Sequence, residues 1–192
     1  SAERNPELGH RVNVEGTLNF LQLAYRLGKR MGEPVKFLFP STIAVFGISS
    51  LEEKMRIGKV TENDCLMPMT MYGVNKLYNE HLGRYYSELY KRLSPEKETG
   101  FIDFRGVRFQ GLISAFTVPT GGTSDFAPEM IHSAAQHKPY ACFVRPDAQI
   151  PFMAMPDGVR ALIELAAAPA ENLSRRIYNI GAFAPSAGEI AE

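Results

Sequence analysis

Apolar residues recur at helical spacing from Pro6 to about Met31, over Val12, Leu18, Leu21, Leu23, Ala24 and Leu27. Asn5-Pro6 supplies a cap and a first-turn proline, and Gly32 with Pro34 closes the run. Val35-Lys36-Phe37-Leu38-Phe39 is short, mostly apolar and rich in strand formers, which predicts a buried strand stopped by Pro40-Ser41-Thr42. Residues 48–70 show no period and are expected to form a long loop, a kind of segment that often carries function. The helical period returns from Met71 to about Leu93, over Val74, Leu77, Leu82, Tyr85, Tyr86 and Leu89.

Residues 100–112 read as one further strand and 114–124 as loop. A short helix is expected over 128–136, a strand over 140–144 and a short apolar piece over 150–155. Asp157 is placed to cap a helix running to Ala168. A strand follows over 176–181, and Ser186 begins a last helix. Strands alternating with helices of ten or more residues predict an α/β fold with βαβ crossovers and a mainly parallel sheet.

Composition narrows the function classes. The 192 residues carry 21 Lys+Arg against 21 Asp+Glu, so no net charge steers the chain to nucleic acid or an acidic membrane. No apolar run reaches the roughly 18–20 residues that span a bilayer. Cys65 and Cys142 form no Cys-x-x-Cys pair, which argues against zinc ribbons and disulfide scaffolds and makes a reducing cytoplasm the expected compartment. His10, His81, His132 and His137 are scattered and suggest no metal site.

Neither G-x-G-x-x-G nor G-x-x-x-x-G-K-[ST] occurs in the chain. The chemistry worth singling out is Tyr72-x-x-x-Lys76. On a helix both side chains share a face, and an adjacent ammonium is expected to lower the tyrosine pKa so that Tyr72 can act as a general base. Tyr25-x-x-x-Lys29 has the same spacing but sits mid-helix, with no turn before it and no hydroxyl cluster nearby, and reads as packing. Tyr72 instead opens its helix. A strand some 30 residues upstream ends in Ser41-Thr42, and the carboxyl ends of parallel strands line ligand crevices.

Pro40-Ser41-Thr42, Val45-Phe46-Gly47, Tyr72-Gly73-x-Asn75-Lys76 and Asn13-Val14-x-Gly16-Thr17 together resemble the extended short-chain dehydrogenase/reductases. Within that family, Arg108-Phe109-x-Gly111-Leu112-Ile113-Ser114, Gly121-Gly122-Thr123-Ser124-Asp125-Phe126-Ala127 and Pro151-Phe152-Met153-x-Met155-Pro156-Asp157 resemble the short-chain-type L-threonine 3-dehydrogenases. The resemblance implies a Rossmann-like, doubly wound parallel sheet lacking its first strands, with a small substrate-side α/β region. It divides the chain into residues 1–113, the latter part of a dinucleotide-binding domain, and 114–192, a substrate-binding region whose strand 175–181 returns to the main sheet.

It also implies NAD-dependent oxidation of the β-hydroxyl of L-threonine to 2-amino-3-oxobutyrate. Tyr72 is then the base. Lys76 lowers its pKa and holds the nicotinamide ribose, and Thr42 orients the substrate with Ser41 as a second contact. Phe109, Gln110 and Gly111 lie along the nicotinamide, although the family usually has Pro where Gln110 stands. Thr123 grips the amino-acid end, and Ser1 matches a family serine that touches substrate. Helices 6–31 and 71–93 resemble a pair that forms a homodimer interface in the family.

Two alternatives stand beside this reading. One is a nucleotide-sugar epimerase or dehydratase, whose substrate needs basic contacts to a diphosphate. Residues 114–157 offer only Lys138 and Arg145, which favours a small substrate. The other is a non-catalytic fragment. The chain begins without Met, and the family's Gly-x-x-Gly-x-x-Gly loop is expected to precede residue 1, so that this chain alone binds NAD weakly or not at all.

Overall fold

A computed structural model describes residues 2–96, 98, 100–119, 122 and 124–192. The chain divides into two compact units, one of Ser1–Arg108 with Leu162–Asn179 and one of Phe109–Ala161 with Ile180–Glu192.

In the first unit, α1 (Pro6–His10) starts at Asn5, whose side chain accepts from Leu8 N at 3.0 Å. A single π turn (Arg11–Glu15) links it to α2 (Gly16–Met31), which ends at Gly32 with φ 76°, a left-handed value that glycine takes without strain. The Asn13 carbonyl at the π turn is satisfied by Thr17 Oγ1 at 2.6 Å and Asn79 Nδ2 at 2.8 Å. β1 spans Val35–Thr42, so the strand runs through Pro40 rather than stopping at Phe39. α4 (Met71–Arg84) passes into a π turn (Tyr85–Leu89) and ends short of the expected Leu93.

The sheet of this unit has the order β1-β2-β5, with β2 (Ile102–Phe109) parallel to β5 (Ile177–Asn179) in the register Gly106↔Ile177. Leu21, Ala24, Phe39, Tyr86, Ile102 and Phe104 form its apolar core. α4 packs tightly there because Gly83 has no side chain: a Cβ would stand 2.1 Å from the Phe104 ring. Arg105 is fully buried and is held by Asp103 and by the Leu165 and Ala168 carbonyls, at 2.5 and 2.6 Å. It thereby caps the last turn of α6 (Met155–Ala167).

The second unit has a two-stranded parallel sheet of β3 (Gly111–Ile113) and β4 (Phe152–Ala154). Phe126, Ala127, Phe152 and Ala187 form its core, drawn from β4, α5 (Phe126–Ala135) and α7 (Ala187–Ala191).

Four local expectations are corrected. Residues 48–70 are not all loop, because Leu51–Ile57 forms α3, capped by Ser50 on Glu53 N at 3.1 Å. The single strand over 100–112 breaks at Gln110, and its two parts join different sheets. Residues 140–144 form no strand; Cys142 and Val144 pack on the Phe126–Phe152 cluster from irregular backbone. Asp157 lies inside the first turn of α6, paired with Arg160 at 2.8 Å, because that helix begins at Met155.

Candidate active site

The carboxyl end of β1 and the first turn of α4 meet in the first unit. Past Thr42 the chain makes one 3-10 turn (Ile43–Val45), with Thr42 Oγ1 accepting from Ala44 N at 3.1 Å. α4 is capped by Thr70, whose hydroxyl accepts from Gly73 N at 3.0 Å. Gly73 permits the approach of these two segments: a Cβ there would lie 2.1 Å from the Ala44 carbonyl oxygen, and neither backbone could yield cheaply.

That approach gathers three of the expected residues. Tyr72 is 39% exposed, and the Thr42 hydroxyl faces its phenol closely enough to favour the phenolate. Lys76 Nζ donates to the Pro40 carbonyl at 2.6 Å and stands 5.6 Å from the centre of the Tyr72 ring. The electrostatics differ from expectation. Burial raises the Tyr72 pKa above the usual phenol value, with the Thr42 hydroxyl opposing it. Burial also lowers Lys76, and the Glu80 charge opposes that. Desolvation of the phenolate therefore outweighs the help expected from the ammonium.

Ser41 joins the same strand end but faces inward. It is 2% exposed and donates to Glu80. Glu80 is in turn gripped by Nε and Nη2 of Arg108, at 2.9 and 2.6 Å, and both residues are buried. Neither Glu80 nor Arg108 was among the residues to which the sequence reading gave a role. Glu80 stands four positions after Lys76 on the same helix, the one local signal that could have marked it.

Phe109, Gln110 and Gly111 belong to the second unit. Gly111 lies against Phe152, and the Gln110 Oε1 atom is buried with no hydrogen-bond partner among the described residues. Ser1 and Thr123 lie outside the described residues. Among those described, no group of three His, Cys, Asp or Glu is placed to hold a metal ion. No helix among them is long and apolar enough to cross a membrane.

A strand-end hydroxyl, a tyrosine in the first turn of α4 and a lysine one turn on are thus brought together. Residues 1–181 match the NAD dependent epimerase/dehydratase family, and the chain belongs to it. It is 36% identical over 191 residues to the mitochondrial L-threonine 3-dehydrogenase of Bos taurus, covering 99% of this chain and 45% of that protein. L-threonine dehydrogenase from Phytophthora infestans superposes with a TM-score of 0.80 at 37% identity, over 98% of this chain and 54% of that one. A monomeric L-threonine 3-dehydrogenase from a metagenome gives 0.82 at 36% identity, over 98% and 55%. The fold is thus the Rossmann-like α/β fold of these enzymes. The chain spans about half the length of the relatives it matches.

Proposed function

We propose that the protein is an NAD-dependent dehydrogenase that oxidises the β-hydroxyl of L-threonine to 2-amino-3-oxobutyrate. The convergence of Tyr72, Thr42 and Lys76 at the end of β1 carries this reading. The Tyr72 phenolate takes the proton of the substrate hydroxyl, and Thr42, beside Tyr72, orients that hydroxyl. NAD, when bound, supplies the acceptor for the hydride that leaves the substrate Cβ.

The residues present fit the nicotinamide-ribose end of that cofactor. An ammonium has three N–H donors; Lys76 gives one to Pro40 and keeps others for ribose hydroxyls. Gln110, in the second unit, remains a proposed contact along the nicotinamide. Phe109 and Gly111 flank it along the chain. Ser1 and Thr123 remain the proposed contacts to the amino-acid end. No Gly-x-x-Gly-x-x-Gly run occurs within the 192 residues, so these residues hold no pyrophosphate cradle of that kind.

The test uses the product of the open reading frame that encodes this chain. NADH formation with L-threonine and NAD, together with 2-amino-3-oxobutyrate as product, supports the reading. Turnover of a uridine-diphosphate sugar with no response to threonine would overturn it in favour of an epimerase or dehydratase.

Leu8, Val12, Phe20 and Leu23 on one side and Tyr78 and Tyr85 on the other are all more than 40% exposed. These apolar positions on α1, α2, α4 and the two π turns support a homodimer through helices 6–31 and 71–93. A monomer in light scattering at tens of micromolar would count against it. Cys65 and Cys142 are both free thiols, in keeping with the proposed cytoplasmic location, whereas the bovine relative is named as mitochondrial.

A further inference from the structure

We propose that Glu80 and Ser41 are positioning residues that hold the Tyr72–Lys76 pair in place through the end of β1. The inference rests on the reading of Tyr72 and Lys76 given above.

The Pro40 carbonyl holds the Lys76 ammonium, and the Thr42 hydroxyl meets Tyr72. Ser41 lies between them. Side chains alternate along a strand, so Ser41 points away from Thr42, into the interior, where its hydroxyl donates to Glu80. Fixing Ser41 therefore fixes both of the groups that touch the proposed catalytic pair.

The anchor below Ser41 is itself fixed. Arg108 binds Glu80 with Nε at 2.9 Å and Nη2 at 2.6 Å. Its remaining arm donates to the Glu62 carbonyl at 2.8 Å and approaches Asn179 Oδ1 at 3.4 Å. Its guanidinium lies over the Phe46 ring, 5.1 Å from the centroid. A buried pair of this kind adds little net stability, because desolvating two charges consumes most of their attraction. What it does provide is a rigid fork with one accessible acceptor edge, and Ser41 occupies that edge.

Glu80 has a second effect on the same pair. It follows Lys76 by one helical turn, and its charge favours the ammonium against the desolvation that disfavours it. Tyr72 and Glu80 face Lys76 from α4, the Pro40 carbonyl and the Phe39 ring face it from β1, and Arg108 on β2 stands behind Glu80.

The test separates position from contact. In the product of the open reading frame, Ser41→Ala should lower kcat about tenfold, leave the KM for threonine within about twofold, and be rescued by Ser41→Thr. A raised KM with an intact kcat would make Ser41 a substrate contact and overturn the proposal. Glu80→Gln keeps an acceptor for Ser41 but removes the charge. It should lower kcat and move the Lys76 titration, read from the lysine ε-carbon by NMR, to lower pH. An unmoved Lys76 titration with a wild-type kcat would overturn the proposal. If Glu80→Gln fails to fold, Glu80→Gln with Arg108→Gln leaves no unpaired buried charge and is judged by kcat, which should fall; a wild-type kcat in it would overturn the proposal. The NMR titration needs no substrate. An enzyme inert to threonine would therefore refute the functional reading while the titration still judges the role of Glu80.

Discussion

Tyr25–Lys29 on α2 and Tyr72–Lys76 on α4 have the same four-residue spacing, and both lie in the first unit. Their surroundings set them apart. The Tyr25 hydroxyl donates to Glu98, and Lys29 pairs with the same carboxylate at 2.6 Å, with Lys91 at 3.3 Å. The Tyr25 ring packs on Tyr90 and Phe101, at centroid distances of 4.7 and 5.9 Å. Its proton is thus committed to an acceptor and its ammonium is neutralised. Tyr72 meets a neutral hydroxyl that can both donate and accept, and Lys76 meets a carbonyl. Spacing brings a tyrosine and a lysine together; the strand end in front of them decides whether they can do acid–base work.

The contrast can be broken most severely at the lysines. Lys76→Met should reduce threonine-dependent NADH formation by about a hundredfold or more, whereas Lys29→Met should change it less than about twofold. Comparable losses from both would remove the distinction.

The pH profile sharpens it next. Burial holds the Tyr72 phenol above its usual pKa, so the phenolate is the minor form at neutral pH. Each unit of pH then adds about tenfold phenolate, and kcat/KM should climb from neutral towards alkaline pH until Lys76, whose pKa burial lowers, loses its proton. A profile flat from neutral pH upward would contradict the assignment of the base.

Smaller effects belong to the structural pair. Glu98→Gln should cost about 1 kcal/mol of unfolding free energy, as part-exposed ion pairs and single hydrogen bonds do, with activity unchanged. The smallest effect is expected at Gly16, where a Cβ would meet nothing within 4 Å. Gly16→Ala should raise stability by up to about 1 kcal/mol, while Gly73→Ala, at the site, should be harmful because of the Ala44 carbonyl. Denaturant titration of the three variants reads these differences.

Much of this was legible in the residues. Asn5-Pro6 and Gly32 bounded the first helical run because capping is local chemistry. Tyr72 and Thr42 were recognisable because each stands next to the turn that ends or begins an element. α3 was missed although Ser50 and Glu53 spell a cap, since its seven residues are too charged and too few to show a period. The break at Gln110 was hidden inside a continuous run of strand formers. Glu80 and Arg108 are 28 positions apart and meet only when α4 packs on the sheet, so no local pattern announces their pairing. The direction of the Tyr72 shift was also not legible, because it depends on burial, which the folded chain alone sets.

The most direct test replaces one oxygen at each tyrosine. Tyr72→Phe and Tyr25→Phe, each in the product of the open reading frame, are compared for threonine-dependent NADH formation at saturating NAD. The account predicts a loss of about a hundredfold or more for Tyr72→Phe and less than about twofold for Tyr25→Phe. Retention of most activity by Tyr72→Phe would contradict it.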